Sequence, residues 1–208
     1  MTNLMDSLYY KDYHQIEDGL YLGNFGSATN KKIMKELNIQ VVVTAMEIPL
    51  KDNEKLEGIE YHYFQIQDYP TEDILSYFPF AHLIMSKAQQ EGKNVYVHCY
   101  AGMSRSATIV ISYLMKKYKW KVDDALNFVK RIRRVYPNHG FLDQIKLYEK
   151  WGYEFNGRNK DYRKYLLSHF IDILNFAYLD EWCLRLIDVN TSTKYFCRIK
   201  QIDNKLSE

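Results

Sequence analysis

Asn94-Val95-Tyr96-Val97-His98-Cys99-Tyr100-Ala101-Gly102-Met103-Ser104-Arg105-Ser106 carries more information than any other segment of this chain. Its first four residues form the β-branched and aromatic run of a strand. After Cys99 the periodicity becomes helical, with Ala107, Val110, Ile111 and Leu114 on one stripe. The segment therefore reads as a strand that turns through a short loop into a core-facing helix. Working outward, further strands are expected at Gly19 to Leu22, Ile39 to Thr44 and Ile59 to Ile66. Between the first two, Ser27 or Thr29 can cap a short helix with Ile33, Met34 and Leu37 on one face. A longer helix is expected from about Ile74 to Gln90, ending at Gly92, with Pro79 in the first turn where N–H groups lack partners. Ala125, Phe128, Val129 and Ile132 mark another helix. Pro137-Asn138-His139-Gly140 reads as a turn before a last helix from about Phe141 to Trp151. This alternation predicts an α/β domain with a central mixed, mostly parallel β-sheet flanked by helices.

With 208 residues and 47% apolar composition, the chain holds one well-cored domain and a modest appendage. The expected organisation is a lead segment over 1–14, the main domain over 15–152 and an extension over 153–208. The extension reads as a helix from Tyr162 to Phe176, then strand-like runs at Leu184 to Val189 and Lys194 to Arg198, turning at Asn190 to Thr193. Lys plus Arg number 28 against 26 acids, so a net charge of +2 points to neither nucleic acid nor an anionic membrane as a partner. Cys99, Cys183 and Cys197 are widely spaced, and no charged-then-apolar leader opens the sequence. A reducing cytoplasmic or nuclear setting is expected, without a disulfide framework. No apolar run approaches the ~20 residues of a membrane span, and Thr2 stands where N-myristoylation needs glycine. Asn190-Thr191-Ser192 has the form of a glycosylation sequon but reads as turn residues.

The loop solves one chemical problem, attack by sulfur on a phosphate dianion. Arginine follows cysteine by six residues. A loop of that length can wrap a phosphate with its N–H groups inward over Tyr100, Ala101, Gly102, Met103 and Ser104, while the Arg105 guanidinium clasps two oxygens. Gly102 relieves the cost of the tight curl. The helix N-terminus and a nearby cation favour thiolate over thiol, and can carry a cysteine from ~8.5 into the ~3.5 to 7.5 range. Lysine at 105 would supply charge without the planar fork. A buried structural thiol is the ordinary reading of a lone cysteine at a strand end. It loses here to the full string His-Cys-x-x-Gly-x-x-Arg-Ser.

That string resembles the phosphate-binding loop of the protein tyrosine phosphatase superfamily, and Ala101-Gly102-Met103-Ser104-Arg105-Ser106 resembles its dual-specificity branch. The resemblance runs from about Gln15 to Trp151. It takes in Gly19-Leu20-Tyr21-Leu22-Gly23-Asn24, Asp68, the loop, Tyr113-Leu114-Met115 and Pro137-Asn138-His139-Gly140-Phe141. It implies that Cys99 is the nucleophile of a thiophosphate intermediate, Arg105 the clamp and Ser106 the hydroxyl that helps sulfur leave. His98 would sit behind the loop as an orienting group rather than a proton carrier. Asp68 would be the general acid that protonates the leaving oxygen, then the base toward water. Glu72 and Asp73 compete for that position, and a solvated loop acid or helix cap describes two of the three. Asn138 resembles a position that supports the loop by hydrogen bonds, although a turn asparagine needs no function.

The resemblance implies phosphoprotein substrates hydrolysed at tyrosine and at serine or threonine; no cofactor or metal is expected, and a monomer is favoured while the sequence does not name the oligomeric state. Lipid and RNA 5′-phosphatases use related loops, but no Lys or His stands among Tyr100, Ala101, Met103 and Ser104, and Ser106-Ala107 replaces the Thr-Gly those enzymes tend to show. Rhodanese-like sulfurtransferases share the Cys-to-Arg spacing but not the early strand pattern, Asp68 or the Asn138 turn. A phosphosite-binding module without chemistry would lack nucleophile, clamp or acid, and none is missing. Lys116, Lys117, Lys119, Lys121, Lys130, Arg131, Arg133 and Arg134 form the one basic concentration and read as a solvated helical face. After Trp151, Trp-Gly-Tyr-Glu-Phe and Lys194-Tyr195-Phe196-Cys197-Arg198 resemble dual-specificity phosphatases that carry a zinc-binding C-terminal domain. Cys197 has Lys200 where a partner cysteine would stand, so no zinc site is expected. Whether Cys183 or Cys197 can form a disulfide with Cys99 is open at this level.

Overall fold

Strands β1 (Tyr13–Glu17), β2 (Leu20–Gly23), β3 (Ile39–Met46), β4 (Glu60–Gln65) and β5 (Asn94–His98) build one sheet in the order β1-β2-β5-β3-β4. The structure is a computed structural model that describes residues 12–168. β1 runs antiparallel to β2, and every other pairing is parallel. The two central strands, β3 and β5, carry valine runs buried on both faces, as a parallel sheet covered on both sides requires. The sheet is thus the mixed, mostly parallel one expected. β1 was not anticipated, because Tyr-His-Gln-Ile-Glu is polar and buries only Ile16.

Helices α1 (Phe25–Ala28) and α2 (Lys31–Glu36) follow β2. Their caps are Asn24, whose Oδ1 accepts from Ser27 N at 2.9 Å, and Asn30, which accepts from Lys32 N at 3.0 Å and Ile33 N at 3.2 Å. This corrects the expectation of Ser27 or Thr29. Ser27 lies inside α1, and the Thr29 hydroxyl donates back to Phe25 O at 3.1 Å, at the helix's end. A 3₁₀ turn at Leu75–Tyr77 leads into α3 (Phe78–Gln90), with Pro79 in its first turn and Gly92 past its end at φ +68°. That positive φ is the conformation glycine adopts most readily after a helix.

α4 (Arg105–Tyr118) is buried from Arg105 to Met115 on every side, not along one stripe as the spacing suggested. It is the central helix, packed on by α5 (Val122–Ile132), by α6 (His139–Lys150) and by α3. Two of its hydroxyls are satisfied within the chain of the helix and its cap. Thr108 Oγ1 donates to Ser104 O at 2.8 Å and Ser112 Oγ to Ile109 O at 2.8 Å. His82 of α3 lies between the three helices. Ser112 Oγ lies 2.9 Å from its Nε2, and the Tyr148 hydroxyl 3.3 Å from its Nδ1. Burial holds the His82 imidazole down at about 3, so it is neutral.

α6 starts at His139, not Phe141, because Asn138 is its cap: Oδ1 accepts from Phe141 N at 2.9 Å. The chain divides into two compact units, Met1–Phe155 and Asn156–Glu208. Within the second, residues 160–168 are helical. The expected strands at 184–189 and 194–198, Cys183, Cys197 and residues 1–11 lie outside the described residues.

Candidate active site

The parallel strands aim their C-terminal ends at one place, where open α/β sheets collect ligands. β5 delivers His98 and then Cys99. β2 delivers Asn24 and Phe25, β3 delivers Glu47, and β4 leads to Ile66 and Asp68. Cys99 is 1% exposed at the floor. Its Sγ accepts from Gly102 N at 3.2 Å and from Ser106 Oγ at 3.2 Å, two donors that suit an anionic sulfur.

The loop owes its shape to what holds its carbonyls. Cys99 O lies 3.3 Å from His98 Nδ1, and Tyr100 O accepts from Phe25 N at 3.1 Å. Ala101 O and Gly102 O accept from Arg133 Nη2 at 3.2 Å and Nε at 3.0 Å. Met103 O accepts from Tyr136 N at 2.9 Å, and Ser104 O from Thr108 N at 2.8 Å. Each carbonyl from Cys99 to Ser104 is thereby occupied by a donor on its own side of the peptide. A trans peptide points its N–H opposite its C=O, so the following amides point away from these donors, and the Gly102 amide meets the sulfur. Gly102 sits at φ +68°, and a Cβ there would collide with the Gly23 carbonyl and with Arg133.

A carbonyl only accepts, so His98 donates from Nδ1 to Cys99 O and takes the Thr44 hydroxyl at 2.9 Å on Nε2. Burial brings its imidazole down to about 4, opposed by that backbone bond. His98 is therefore a neutral support under the loop.

Arg105 is 5% exposed. Its Nη1 meets Glu47 Oε2 at 2.7 Å and Ile66 O at 3.4 Å, while its Nε is buried without a hydrogen bond among the described residues and lies 3.7 Å from Asp68 Oδ2. A buried unmatched donor costs roughly 1 to 3 kcal/mol, which an oxyanion in the cradle would relieve.

Asp68 Oδ1 accepts from Ser104 Oγ at 2.7 Å and Asn138 Nδ2 at 2.9 Å. With Oδ1 committed to two donors, Oδ2 is the oxygen that faces the Arg105 guanidinium. The segment after Asp68 is fastened to α6. Gln144 Oε1 accepts from Ile74 N and Leu75 N, each at 2.9 Å, and its Nε2 donates to Glu72 O at 2.8 Å. Gly140 is also required, since a Cβ there would collide with the Pro70 carbonyl. Asp73 is 3% exposed and its Oδ1 accepts from Ser76 N at 3.2 Å, just before the 3₁₀ turn.

The structure thus brings Cys99, Gly102, Ser104, Arg105, Ser106, His98, Asp68 and Asn138 together. Ser104 turns its side chain to Asp68, leaving its amide for the cradle. Tyr100 and Ala101 are exposed at the rim, with Tyr100 stacked on Phe25 at 6.4 Å, and Met103 is half-buried. Three neighbours were missed: Glu47, Thr44 and Arg133. Arg133 was read as part of a solvated basic face yet is 6% exposed. The signal was present, since Val122, Ala125 and Val129 form a buried stripe that position 133 continues. Glu47 had no signal beyond its place just after a strand.

The family model for the dual specificity phosphatase catalytic domain matches residues 20–151. Dual specificity protein phosphatase 1B of Arabidopsis thaliana is 37% identical over 144 residues, covering 67% of this chain and 83% of that protein. Tyrosine-protein phosphatase yvh1 of Schizosaccharomyces pombe is 30% identical over 168 residues, covering 80% of this chain but 50% of that protein. The crystal structure of human tyrosine phosphatase-like serine/threonine/tyrosine-interacting protein superposes with a TM-score of 0.62 at 29% identity, over 67% of this chain and 96% of that one. The matched span begins at β2, contains the cradle and ends with α6, the helix that fastens the acid loop. By sequence and by fold, the chain belongs to the dual specificity phosphatase family and is a protein phosphatase.

Proposed function

We propose that the cradle hydrolyses phosphate monoesters on proteins in two steps, with Cys99 as nucleophile, Arg105 as clamp, Asp68 as acid then base, and Ser106 as partner of the departing sulfur. The observation that carries this reading is the sulfur geometry: Cys99 Sγ takes donors from Gly102 and Ser106 while every loop carbonyl is held away from it. In the first step Sγ forms a bond to phosphorus, the bond to the ester oxygen breaks, and Asp68 passes the proton on Oδ2 to that oxygen. Arg105 and the loop amides stabilise the charge on the three equatorial oxygens. In the second step water attacks the thiophosphate, Asp68 takes its proton, and Sγ leaves as thiolate onto the Ser106 hydroxyl. One ester and one water become an alcohol and inorganic phosphate.

Phosphotyrosine and phosphoserine or phosphothreonine in proteins fit better than lipid or RNA 5′-phosphates, because the side chains of Tyr100, Ala101, Met103 and Ser104 add no cation to the cradle. A direct test compares release of phosphate from phosphopeptides, a phosphoinositide and a 5′-triphosphorylated RNA. Turnover of the peptides at least tenfold above the other two, abolished by Cys99→Ser, is the expected result. Preferential turnover of lipid or RNA would reject the substrate class, and full activity in Cys99→Ser would reject the mechanism.

A further inference from the structure

Arg133 lies outside the reacting groups, yet it holds the loop at the point where the loop is least able to hold itself. α5 ends at Ile132, and Arg133 leaves it extended at φ −141°, ψ 140°, with its N–H on Val129 O at 2.9 Å. The side chain then turns under the loop. Nε donates to Gly102 O at 3.0 Å, Nη2 to Ala101 O at 3.2 Å, and Nη1 to His14 Nδ1 of β1 at 3.2 Å.

These two carbonyls belong to the peptides on either side of Gly102. A glycine at positive φ has no side chain to resist rotation of its neighbours, so these are the peptides most free to flip. The same two peptides carry the amides of Gly102 and Met103, and the Gly102 amide is the one that reaches Cys99 Sγ, at 3.2 Å. Fixing the carbonyl fixes the amide, because the peptide is planar. A planar fork that spans two successive carbonyls does this in one side chain, which an ammonium cannot. We propose that Arg133 is a positioning residue that locks the peptides 101–102 and 102–103 in their phosphate-receiving orientation from behind the loop.

The electrostatics agree with the geometry. Burial lowers the Arg133 guanidinium from its ordinary value, and attraction to Tyr96 of β5, to Cys99 and to Asp12 opposes that loss. Titratable groups that face Arg133 include Asp12 before β1, His14 on β1, Tyr96 on β5 and Cys99. The cation behind the cradle and the anion inside it favour each other, so holding Arg133 charged in a buried place also favours an oxyanion in front.

This inference rests on the loop being the phosphate cradle, and the test separates the two. Tungstate binding is measured as inhibition of aryl phosphate turnover and by calorimetry on the full chain, for wild type, Arg133→Met, Arg133→Lys and Val129→Ala, at a temperature where circular dichroism shows each folded. Arg133→Met is expected to lose roughly 10- to 100-fold in tungstate affinity and to raise KM in parallel, the size of losing charge-assisted hydrogen bonds. Arg133→Lys is expected to recover part of it. Val129→Ala, a core truncation on the same helix, lowers Tm while leaving tungstate affinity within about twofold, as expected when hydrogen bonds at the loop are untouched. A folded Arg133→Met or Arg133→Lys that binds tungstate as tightly as wild type overturns the inference. If Arg133→Met does not fold, Arg133→Lys decides, with a loss of several-fold expected. A wild-type protein that binds no tungstate overturns the cradle itself.

Discussion

In the proposed reaction Asp68 is the acid, and two donors hold one of its carboxylate oxygens. Ser104 and Asn138 pin Oδ1, which leaves Oδ2 toward Arg105. Asp68→Ala should therefore lower kcat/KM for phosphopeptides by about 10² to 10⁴, with a smaller loss on aryl phosphates whose leaving group needs no proton. An equal loss on both would mean that Asp68 is not the acid. Ser104→Ala keeps the loop backbone but removes one of the two donors to Oδ1, leaving Asn138 Nδ2, and should show the same leaving-group dependence at roughly a tenth of the rate. At this scale the sequence was most legible where chemistry forces residue type: Cys99, Arg105, Ser106 and Asp68 meet in space as spacing and resemblance implied. It was least legible for Arg133 and Glu47. A cation inside a run of cations carries no local mark of burial, and a glutamate after a strand carries no mark of the arginine it will meet 2.7 Å away.

Helices place Asp68 as much as strands place Cys99. α6 caps itself with Asn138, gives that residue's Nδ2 to Asp68, opens a gap for Pro70 at Gly140 and ties down Ile74 and Leu75 with Gln144. The Pro-Asn-His-Gly segment was read as a turn, and only tertiary contact shows that it docks the acid loop. Gly140→Ala should push Pro70 away and uncouple Asp68. The expected signature is a phosphopeptide kcat lowered tenfold or more with tungstate affinity retained, since the cradle stands on α4 and α5. Loss of tungstate binding in a folded variant would show instead that the two halves of the site are not independent. Caps were the weakest part of the reading at this scale. Asn24 and Asn30 both outcompeted Ser27 and Thr29, because an asparagine one residue outside the helix reaches the free N–H groups that a residue inside cannot. β1 escaped notice because a polar edge strand with one buried side chain has no alternation to read.

Across the whole catalytic unit, a sheet of four parallel strands with one antiparallel edge brings Cys99, Glu47 and Asp68 to one rim, helices α5 and α6 add Arg133 and Asn138, and α4 runs through the middle as core. Two histidines are buried neutral in it, His82 brought down to about 3 and His98 to about 4 from an ordinary 6.5. The unfolded chain takes up protons on these rings near pH 6.5 while the folded one does not. Stability should thus be complete above that pH and fall as pH drops toward about 4, by on the order of a few kcal/mol. Urea midpoints between pH 7 and 4 check this, and His82→Gln should flatten part of the slope. A wild-type midpoint that does not change over this interval would contradict the buried neutral state. The fold was readable because strand and helix periods alternate so cleanly through residues 19–151, whereas the wiring between layers depends on contacts between residues far apart in sequence. In the proposed reaction phosphate passes covalently through the sulfur at position 99. Ser106→Ala, which slows departure of that sulfur, should accumulate the intermediate when mixed with an aryl phosphate and quenched in acid. Peptide mass spectrometry should then find a phosphate adduct on Cys99 together with a burst of aryl alcohol. A burst without an adduct on Cys99, or an adduct on any other residue, would contradict the account.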